Sequence, residues 1–374
     1  MKNIVHHISL KNIGGMQDAF ISYYNELSDE EKNNIEIYGN FSLEKKFNNV
    51  KNYYKLGLNF FNWFKFIKRL RDRKIKKILH GLLNSRKFNL LLKFFKCNNL
   101  VFYEHGSIWN SVKSEQKLVI ENSNYSNLII ANSNATKNIL NKKFKIRINK
   151  IKVIYYGFKK NNSIKYSNNK NKKFVIGYLG RFDSHKGIHT LLNCANKLER
   201  NFEIKLAGDG DLYNYFLNKY SSNKNIKFAG RIKNISSFFS KIDCLIVPSI
   251  REPLGIVLIH AGLHKVPVIA SNVDGIREVV KPNFGILIKP TLKLNRKIFN
   301  ISKIKRPDTV LDLNNKLSRP KEIDPKILLR KIYLLKNDKN LRNFYVKNFY
   351  NFSIKVFSSR EYFNNLKRVF DEKN

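Results

Sequence analysis

The chain has 374 residues, of which 43% are hydrophobic, and it carries 71 Lys and Arg against 28 Asp and Glu, a formal net charge of +43. This length and apolar content are typical of about two globular domains and exclude global disorder. A positive field attracts polyanions such as nucleic acid or an anionic membrane, but Lys and Asn also crowd the loops, as AT-rich coding would produce. The charge by itself therefore assigns no function.

The cysteines and the apolar runs indicate the cellular compartment of the protein. Cys97, Cys194 and Cys244 are widely spaced and odd in number, which favours buried thiols in a reducing compartment over a disulfide framework. The N-terminal stretch has no apolar run long enough for a signal peptide, and no segment reaches the ~18 apolar residues of a membrane span. We therefore expect a cytoplasmic protein, which an anionic membrane would hold at the inner face of the plasma membrane.

In the first half, short apolar runs alternate with helical stretches, as in βα units that build a parallel sheet. The predicted strands are NIVHHISL (3–10), IEIYGN, KKILHG, NLVFYEHG, NLIIANS and IKVIYYG. A turn with Gly14 and Gly15 follows the first strand. These elements predict a Rossmann-like domain at 1–158, and the polar, Lys- and Asn-rich stretch at 159–173 is the predicted linker.

The segment LGLNFFNWFKFIKRLRDRKIKK (56–77) departs from this pattern, because it combines five aromatic residues with seven Lys or Arg from Lys68 to Lys77. A basic helix with aromatic residues can lie in the headgroup layer of a membrane. The alternative is a core helix that packs its aromatic residues on the N-terminal sheet. The sequence leaves both interpretations open.

The second half restarts the alternation, with predicted strands FVIGYLG, FEIKLAG, IKFAG, CLIVPS, PVIAS and GILI. They predict a second Rossmann-like domain at 174–352, with an irregular insertion at about 291–323. The stretch 353–374 is expected to form a helix that packs back on the N-terminal domain. The fold class is therefore α/β, with two doubly wound domains and a ligand site at the carboxyl ends of the strands, in the cleft between them.

The stretch YLGRFDSHKGIHTLL places two cations at a strand-to-helix turn, Arg181 next to Gly180 and Lys186 next to Gly187. Such cations can clamp a diphosphate together with the amides that begin the next helix. The alternative is two surface cations without a function in a chain that has 71 Lys and Arg. Their place after a strand and between glycines favours the clamp.

The stretch KLAGDGDLYNYF places Gly208 after another predicted strand. A metal site through Asp209 and Asp211 is the weaker interpretation, because Asp211 opens a helical run and suits its N-cap. A dinucleotide fingerprint would need a third glycine in frame. We expect Gly208 to allow close approach of the backbone to a ligand.

The stretch REPLGIVLIHAGLHKVPVIAS (251–271) begins with Glu252, just ahead of a Pro-x-Gly turn and an apolar helix. We predict this helix over 253–264, with Pro253 in its first turn, where proline is favoured. Residue 260 would then lie about 12 Å along the axis from residue 252, at ~1.5 Å per residue. That distance is comparable to the reach from the sugar ring to the ribose of a nucleotide diphosphate sugar.

Gly255 lies near the start of this predicted helix. Because glycine has no side chain, the backbone amides around it can approach a ligand closely. These amides belong to Leu254, Gly255 and Ile256. The start of a helix favours phosphate, and Glu252 can accept hydrogen bonds from sugar hydroxyls.

These motifs resemble the C-terminal half of family 4 retaining glycosyltransferases, which have the GT-B fold and belong to group 1 of the glycosyl transferases. The resemblance depends on Arg181, on Lys186-Gly187 and on the stretches AGDG, FAGRI, PSIREPLG and PVIAS, within residues 177–280. The N-terminal half agrees more loosely, through Gly14-Gly15, YEHG and ANSNATKNIL.

The resemblance implies roles for individual residues. Arg181 and Lys186 would bind the diphosphate, and Glu252 would bind hydroxyls of the donor sugar. Residues near Arg231 would line the base. His105 would approach the donor sugar, although a lone His after a strand is more often structural.

Gly15 would belong to the first loop of the donor site by the same resemblance. His260 departs from the family, which has a second carboxylate in its Glu-x7-Glu motif to hold the ribose diol. A carboxylate can accept from both hydroxyls, whereas an imidazole offers one bond at each of two nitrogens. We therefore expect His260 to change either the affinity for the donor or the identity of the nucleotide that the site accepts.

The implied activity is transfer of a hexosyl or related group from a nucleotide diphosphate sugar to a glycan or lipid-linked acceptor, with retention, in cell-surface polysaccharide or lipopolysaccharide synthesis. No metal or other cofactor is expected, because cations and helix-end amides would neutralise the leaving group. A GT-B sugar phosphorylase or epimerase is one alternative. A nucleic-acid-binding protein is another, although the sequence has no ribonucleoprotein motif, zinc finger or helix-turn-helix.

Overall fold

The computed structural model of the chain describes residues 4–11, 14–82, 85–97, 99–111, 113–159 and 173–371. Its contacts divide the chain into two compact units, Met1–Lys159 with Val356–Asn374, and Lys160–Lys355. The predicted linker at 159–173 lies almost wholly outside the described residues. No helix in the described ranges combines the length and the apolar character needed to cross a membrane.

The first unit contains a seven-stranded parallel sheet in the order β3-β2-β1-β4-β5-β6-β7. Its strands are β1 (Ile4–His7), β2 (Ile35–Gly39), β3 (Tyr53–Lys55), β4 (Lys76–His80), β5 (Leu100–Glu104), β6 (Ser126–Ala131) and β7 (Ile151–Val153). Its helices before the linker are α1 (Gly15–Asn25), α2 (Asp29–Asn33), α3 (Phe60–Arg71), α4 (Arg86–Phe94), α5 (Lys113–Tyr125) and α6 (Asn134–Lys142). The central strands of this sheet are buried, but they are not purely apolar. Strand β1 ends in His6 and His7, and β4 contains the buried Lys77 and ends in His80.

Several helices of this unit begin at a residue whose side chain caps the first turn. Asn59, Ser85 and Ser133 precede α3, α4 and α6, and each side chain accepts a hydrogen bond from the backbone amide three residues later. Such caps satisfy amides that have no acceptor inside the helix and typically contribute about 1 kcal/mol each. These caps fix the residue at which each helix begins.

The second unit contains a six-stranded parallel sheet in the order β10-β9-β8-β11-β12-β13. Its strands are β8 (Phe174–Leu179), β9 (Phe202–Ala207), β10 (Ile226–Gly230), β11 (Cys244–Val247), β12 (Val268–Ser271), β13 (Ile286–Ile288), and the hairpin β14 (Val310–Leu311) and β15 (Leu317–Ser318). Its helices are α7 (Ile188–Ala195), α8 (Tyr213–Lys219), α9 (Ile235–Phe239), α10 (Ile256–Leu263), α11 (Ile276–Val279), α12 (Arg296–Ile301), α13 (Pro325–Asn337) and α14 (Lys339–Val356). The predicted α/β class with two doubly wound parallel sheets is confirmed.

The last helix, α15 (Ser359–Asp371), belongs to the first unit. It packs on α1, where the ring of Tyr23 lies 6.2 Å from that of Tyr362 and 6.1 Å from that of Phe363. The amide of Phe158 donates to the carbonyl of Phe357 (2.9 Å), which joins the returning chain to the segment after β7. The segment that returns to the first unit begins at Val356 in the structure, whereas the segment predicted from the sequence begins at residue 353.

The aromatic and basic segment 56–77 is not one helix. Helix α3 ends at Arg71, and Lys76 and Lys77 belong to strand β4. Phe66 and Leu70 are buried in the core, but Phe60, Phe61 and Phe64 are 76%, 83% and 65% exposed. One of the two predicted alternatives was that the aromatic residues of this segment all pack in the core. This alternative is wrong for Phe60, Phe61 and Phe64.

Candidate functional site

The predicted cations and the predicted acid meet at the carboxyl edge of the second sheet. Arg181 and Lys186 follow strand β8, and Glu252 follows β11, the neighbour of β8. The connections of this sheet run in one direction from β8 to β10 and in the other from β11 to β13. Doubly wound sheets bind ligands at such a switch point.

Lys186 and Glu252 are in direct contact, although 66 residues separate them in sequence. The Nζ atom of Lys186 lies 2.6 Å from Oε2 of Glu252, and the hydroxyl of Ser249 donates to the same oxygen at 3.4 Å. Glu252 is buried, so a charged partner stabilises its carboxylate. The structure thus brings two of the predicted catalytic residues together.

Asp183 organises the turn that carries the two cations. One carboxylate oxygen of this buried residue accepts from the amides of His185 (2.9 Å) and Lys186 (3.1 Å). The other lies 3.0 Å from the guanidinium of Arg181, whose side chain is 61% exposed. Asp183 therefore orients both cations, a role that the sequence analysis missed. Its place at the start of a short polar turn, where an Asp caps, was the available signal.

Asp274 supports Glu252 from the next loop of the sheet. Its carboxylate accepts from the amide of Glu252 (3.1 Å) and, with the other oxygen, from the amide of Leu311 (2.7 Å). Burial raises the pKa of Asp274 to about 7, although the two amides and the charge of Arg251 oppose this shift. Burial also lowers the pKa of Arg251 to about 10. Neither role is apparent from the sequence.

The start of helix α10 differs from the prediction. Gly255 has a φ of +91°, outside the helical region, so the helix begins at Ile256 and Pro253 lies in the preceding turn. The predicted helix over 253–264 is too long at its start, and the distance of about 12 Å derived from it does not apply. Leu254 is buried. His260 lies on α10, about 6 Å along the axis from Ile256 at ~1.5 Å per residue.

Gly208 follows β9 and has a φ of +129°. A Cβ atom there would lie 1.8 Å from the carbonyl oxygen of Gly180, which follows β8. The structure thus shows a close approach at Gly208 between two backbone segments of the protein. A close approach of this glycine to a ligand stays a prediction. Arg231, after β10, is 81% exposed, and its Nε atom lies 3.2 Å from Asp209 Oδ2.

Asp211 does not cap helix α8, which begins at Tyr213. Its carboxylate instead accepts from the hydroxyl of Ser302 (2.8 Å) and from the amide of Lys303, both in the predicted insertion. Within the described part of the chain, no group of three or more His, Cys, Asp or Glu could hold a metal ion.

The remaining predicted site residues lie in the first unit. Gly15 is the first residue of helix α1, which follows β1. His105 follows β5, and both of its ring nitrogens have protein partners: Nε2 lies 2.9 Å from His80 Nδ1, and Nδ1 contacts the hydroxyl of Tyr156. Burial lowers the pKa of His105 to about 3. A ring hydrogen bond from His105 to a sugar would have to displace one of these partners.

The sequence of residues 159–307 matches the family model described as glycosyl transferases group 1. An uncharacterised glycosyltransferase of Methanocaldococcus jannaschii is 33% identical over 192 residues, which cover 49% of this chain and 52% of that protein. The capsular polysaccharide biosynthesis glycosyltransferase CapM of Staphylococcus aureus is 31% identical over 38% of this chain and 42% of its own. The chain thus spans about half the length of the curated relatives that it matches.

Solved structures with the same fold cover the whole chain. The structure of Anabaena HepE in complex with UDP and glucose superposes with a TM-score of 0.76 at 16% identity, over 100% of both chains. A lipopolysaccharide outer core galactosyltransferase, WaaB, superposes with a TM-score of 0.69 at 15% identity, over 99% of both chains. The predicted GT-B fold and the resemblance to group 1 glycosyltransferases are confirmed, and membership of family 4 within them stays a prediction.

Proposed function

We propose that this chain, whose residues 159–307 match the group 1 glycosyltransferases, transfers a hexosyl or related sugar from a nucleotide diphosphate sugar to a glycan or lipid-linked acceptor, with retention of configuration. The observation that carries the proposal is the contact between Lys186 and Glu252 at the switch point of the second sheet. A cation that can bind the diphosphate and a carboxylate that can bind sugar hydroxyls stand side by side there.

The residues have separate proposed tasks around this pair. Lys186 and Arg181 neutralise the charge that develops on the departing nucleotide diphosphate, which is an electrostatic form of catalysis that requires no metal. In the proposed donor site, Glu252 binds the sugar, His260 the ribose and Arg231 lies near the base. The backbone amides of Leu254, Gly255 and Ile256 bind the phosphates, and Gly208 allows close approach of the backbone. The resemblance adds Gly15 and His105, which belong to the first unit.

The comparisons support a nucleotide sugar as donor and a surface glycan as product. Structures of HepE hold UDP or UDP-glucose, and the names of CapM and WaaB refer to capsular polysaccharide and to the lipopolysaccharide outer core. A UDP-sugar is accordingly the first donor to test. Cell-surface polysaccharide or lipopolysaccharide synthesis is the corresponding biological setting.

A panel of nucleotide sugars tests the proposed activity. We expect calorimetric titration to detect binding of at least one of them, and we expect slow release of the nucleoside diphosphate from it in water, because the clamp stabilises the leaving group even without an acceptor. Nucleotide monophosphate sugars serve as the control, since they lack the diphosphate. Absence of binding across the panel would contradict the proposal.

The same panel distinguishes the alternative GT-B activities. A sugar phosphorylase would release no nucleotide from the panel. It would instead use inorganic phosphate to cleave a glycosidic bond of a glycan, which forms a sugar 1-phosphate and a shortened glycan. An epimerase would change the sugar without using an acceptor for transfer. Binding of oligonucleotides alone would favour a nucleic-acid-binding protein.

The exposed face of helix α3 supports an anionic membrane as a further partner. Phe60, Phe61 and Phe64 are exposed near the start of the helix, and Lys68 and Arg71 are exposed further along it. The helix is therefore buried on one side, while its outer side presents aromatic rings followed by cations. This distribution suits the interface of an anionic bilayer, where the rings enter the headgroup layer and each cation near the surface contributes about 1 kcal/mol.

Vesicle sedimentation tests this membrane contact. We expect the protein to bind anionic vesicles at low salt and to leave them at high salt, because screening weakens attraction between exposed charges. Replacing Phe60, Phe61 and Phe64 together by Ser should lower the bound fraction, whereas Phe344→Ser, a change at an exposed Phe of α14, should not. Equal recovery with neutral and anionic vesicles would show that the charge has no such role.

A further inference from the structure

Three histidines of the first unit form one diagonal row across the adjacent strands β1, β4 and β5, with His6 on β1, His80 on β4 and His105 directly after β5. His6 of β1 stands opposite Ile78 of β4, two residues before His80, and His80 stands opposite Tyr103 of β5, two residues before His105. Side chains that are two residues apart on a strand share a face of the sheet. The row therefore rises on one face from the buried His6 to His105 at the carboxyl edge.

The rings of the row are joined directly to one another. Nδ1 of His6 lies 3.1 Å from Nε2 of His80, and Nδ1 of His80 lies 2.9 Å from Nε2 of His105. Nδ1 of His105 contacts the hydroxyl of Tyr156, which closes the row at its outer end. At its inner end, the Nε2 atom of His6 is buried and has no hydrogen-bond partner within the described part of the chain.

The pairing of ring nitrogens in the row restricts which nitrogen of each imidazole carries the proton. A neutral imidazole has one N–H donor and one acceptor nitrogen, so each nitrogen–nitrogen contact needs a donor from one ring and an acceptor from the next. Because Nδ1 meets Nε2 at both contacts, all three rings must carry the proton on Nδ1, or all three must carry it on Nε2. Burial lowers the pKa of His6 and His105 to about 3 and that of His80 well below its usual value, which keeps the rings neutral.

We propose that His6 and His80 are positioning residues that impose one tautomer and one ring orientation on His105 at the carboxyl edge of the first sheet. His6 does not contact His105, so its influence passes through His80. The hydrogen-bond partner on one nitrogen of a histidine sets which nitrogen carries the proton. The consequence for sugar transfer rests on the proposed function, whereas the coupling of the tautomers does not.

Nitrogen NMR of the full-length protein labelled with ¹⁵N in its eight histidines tests the coupling. We expect the rings of His6, His80 and His105 to share one tautomer. His6→Asn should alter the ring-nitrogen signals of His105, which it does not touch. The matched control is His7→Asn, because His7 is also on β1 but stacks on Phe88 (5.3 Å) outside the row, and it should leave those signals unchanged. Different tautomers among the three rings would overturn the proposal.

Two further measurements keep the proposal testable. The amide spectrum reports whether each variant is folded. If His6→Asn does not fold, His80→Asn takes its place, because it breaks the row at its centre. With the donor identified by the panel, His80→Asn should lower kcat about tenfold or more through misplacement of His105, while nucleotide affinity stays within about threefold. Unchanged kcat with altered tautomers would overturn the positioning role. Absence of activity in the unmodified protein would contradict the proposed function and leave the tautomer result standing.

Discussion

Lys186→Ala is expected to lower kcat/KM for sugar transfer by about tenfold to a hundredfold, because a charge-assisted hydrogen bond to the diphosphate contributes about 1.5–3 kcal/mol. Arg181→Ala should have an effect of the same size. The loss should appear in nucleotide diphosphate binding as well as in the rate, since both side chains are proposed to contact the leaving group. Calorimetric titration and initial-rate kinetics with the identified donor provide the measurement.

The half-buried pair of Lys205 and Glu203 provides a matched control for the Lys186 experiment. Their side chains approach to 3.3 Å on strand β9, compared with 2.6 Å between Lys186 and Glu252. Lys205→Ala removes the same charge from a similar ion pair and should leave transfer unchanged. Transfer within threefold of the unmodified protein for both Arg181→Ala and Lys186→Ala would contradict the clamp.

Gly208→Ala is expected to destabilise the second unit by about 3 kcal/mol or more. The added Cβ would meet the carbonyl oxygen of Gly180 at 1.8 Å, and the φ of +129° is unfavourable for alanine. Backbone strain of this kind costs about 1–3 kcal/mol, and relieving a collision between backbone segments adds to it. For a unit of this size we expect thermal unfolding to show a fall in Tm of roughly 10 °C.

Gly81→Ala separates the two causes of this loss. Gly81 also has a positive φ, +96°, but a Cβ atom there would have nothing within 4 Å. Gly81→Ala therefore measures the effect of backbone strain alone. It should lower the free energy of unfolding clearly less than Gly208→Ala does. Equal losses at the two positions would mean that the contact with Gly180 contributes nothing.

The strands were predictable because buried parallel strands appear in a sequence as short apolar runs between polar turns. Strand β3 was missed, since Tyr53–Lys55 is too short to show any period. The start of α10 was misplaced because proline suits both a turn and a first helical turn, and only the φ of Gly255 decides between them. The exposed phenylalanines of α3 could not be told from core residues, since a run of aromatic residues has the same composition in either place.

The candidate site was predictable in part, for a related reason. Arg181, Lys186 and Glu252 each follow a predicted strand, and the ends of parallel strands meet at one edge of a sheet. The carboxylate of Asp274 escaped prediction, because its partners are the backbone amides of Glu252 and Leu311, which a sequence does not display. The sequence could indicate Asp183 only as a cap of its turn, since its ion pair with Arg181 depends on the folded geometry. The histidine row was also hidden, since its contacts depend on the register of β1, β4 and β5.

The return of the chain to its first unit affects the order in which a ribosome can complete the protein. Helix α15 covers Tyr23 of α1, yet it is synthesised only after all of Lys160–Lys355. Domains ordinarily fold one after another as they emerge, the N-terminal one first. Here the nascent first unit holds an uncovered aromatic surface on α1 throughout translation of the second. The first unit can therefore cover this surface only after helix α15 has been synthesised.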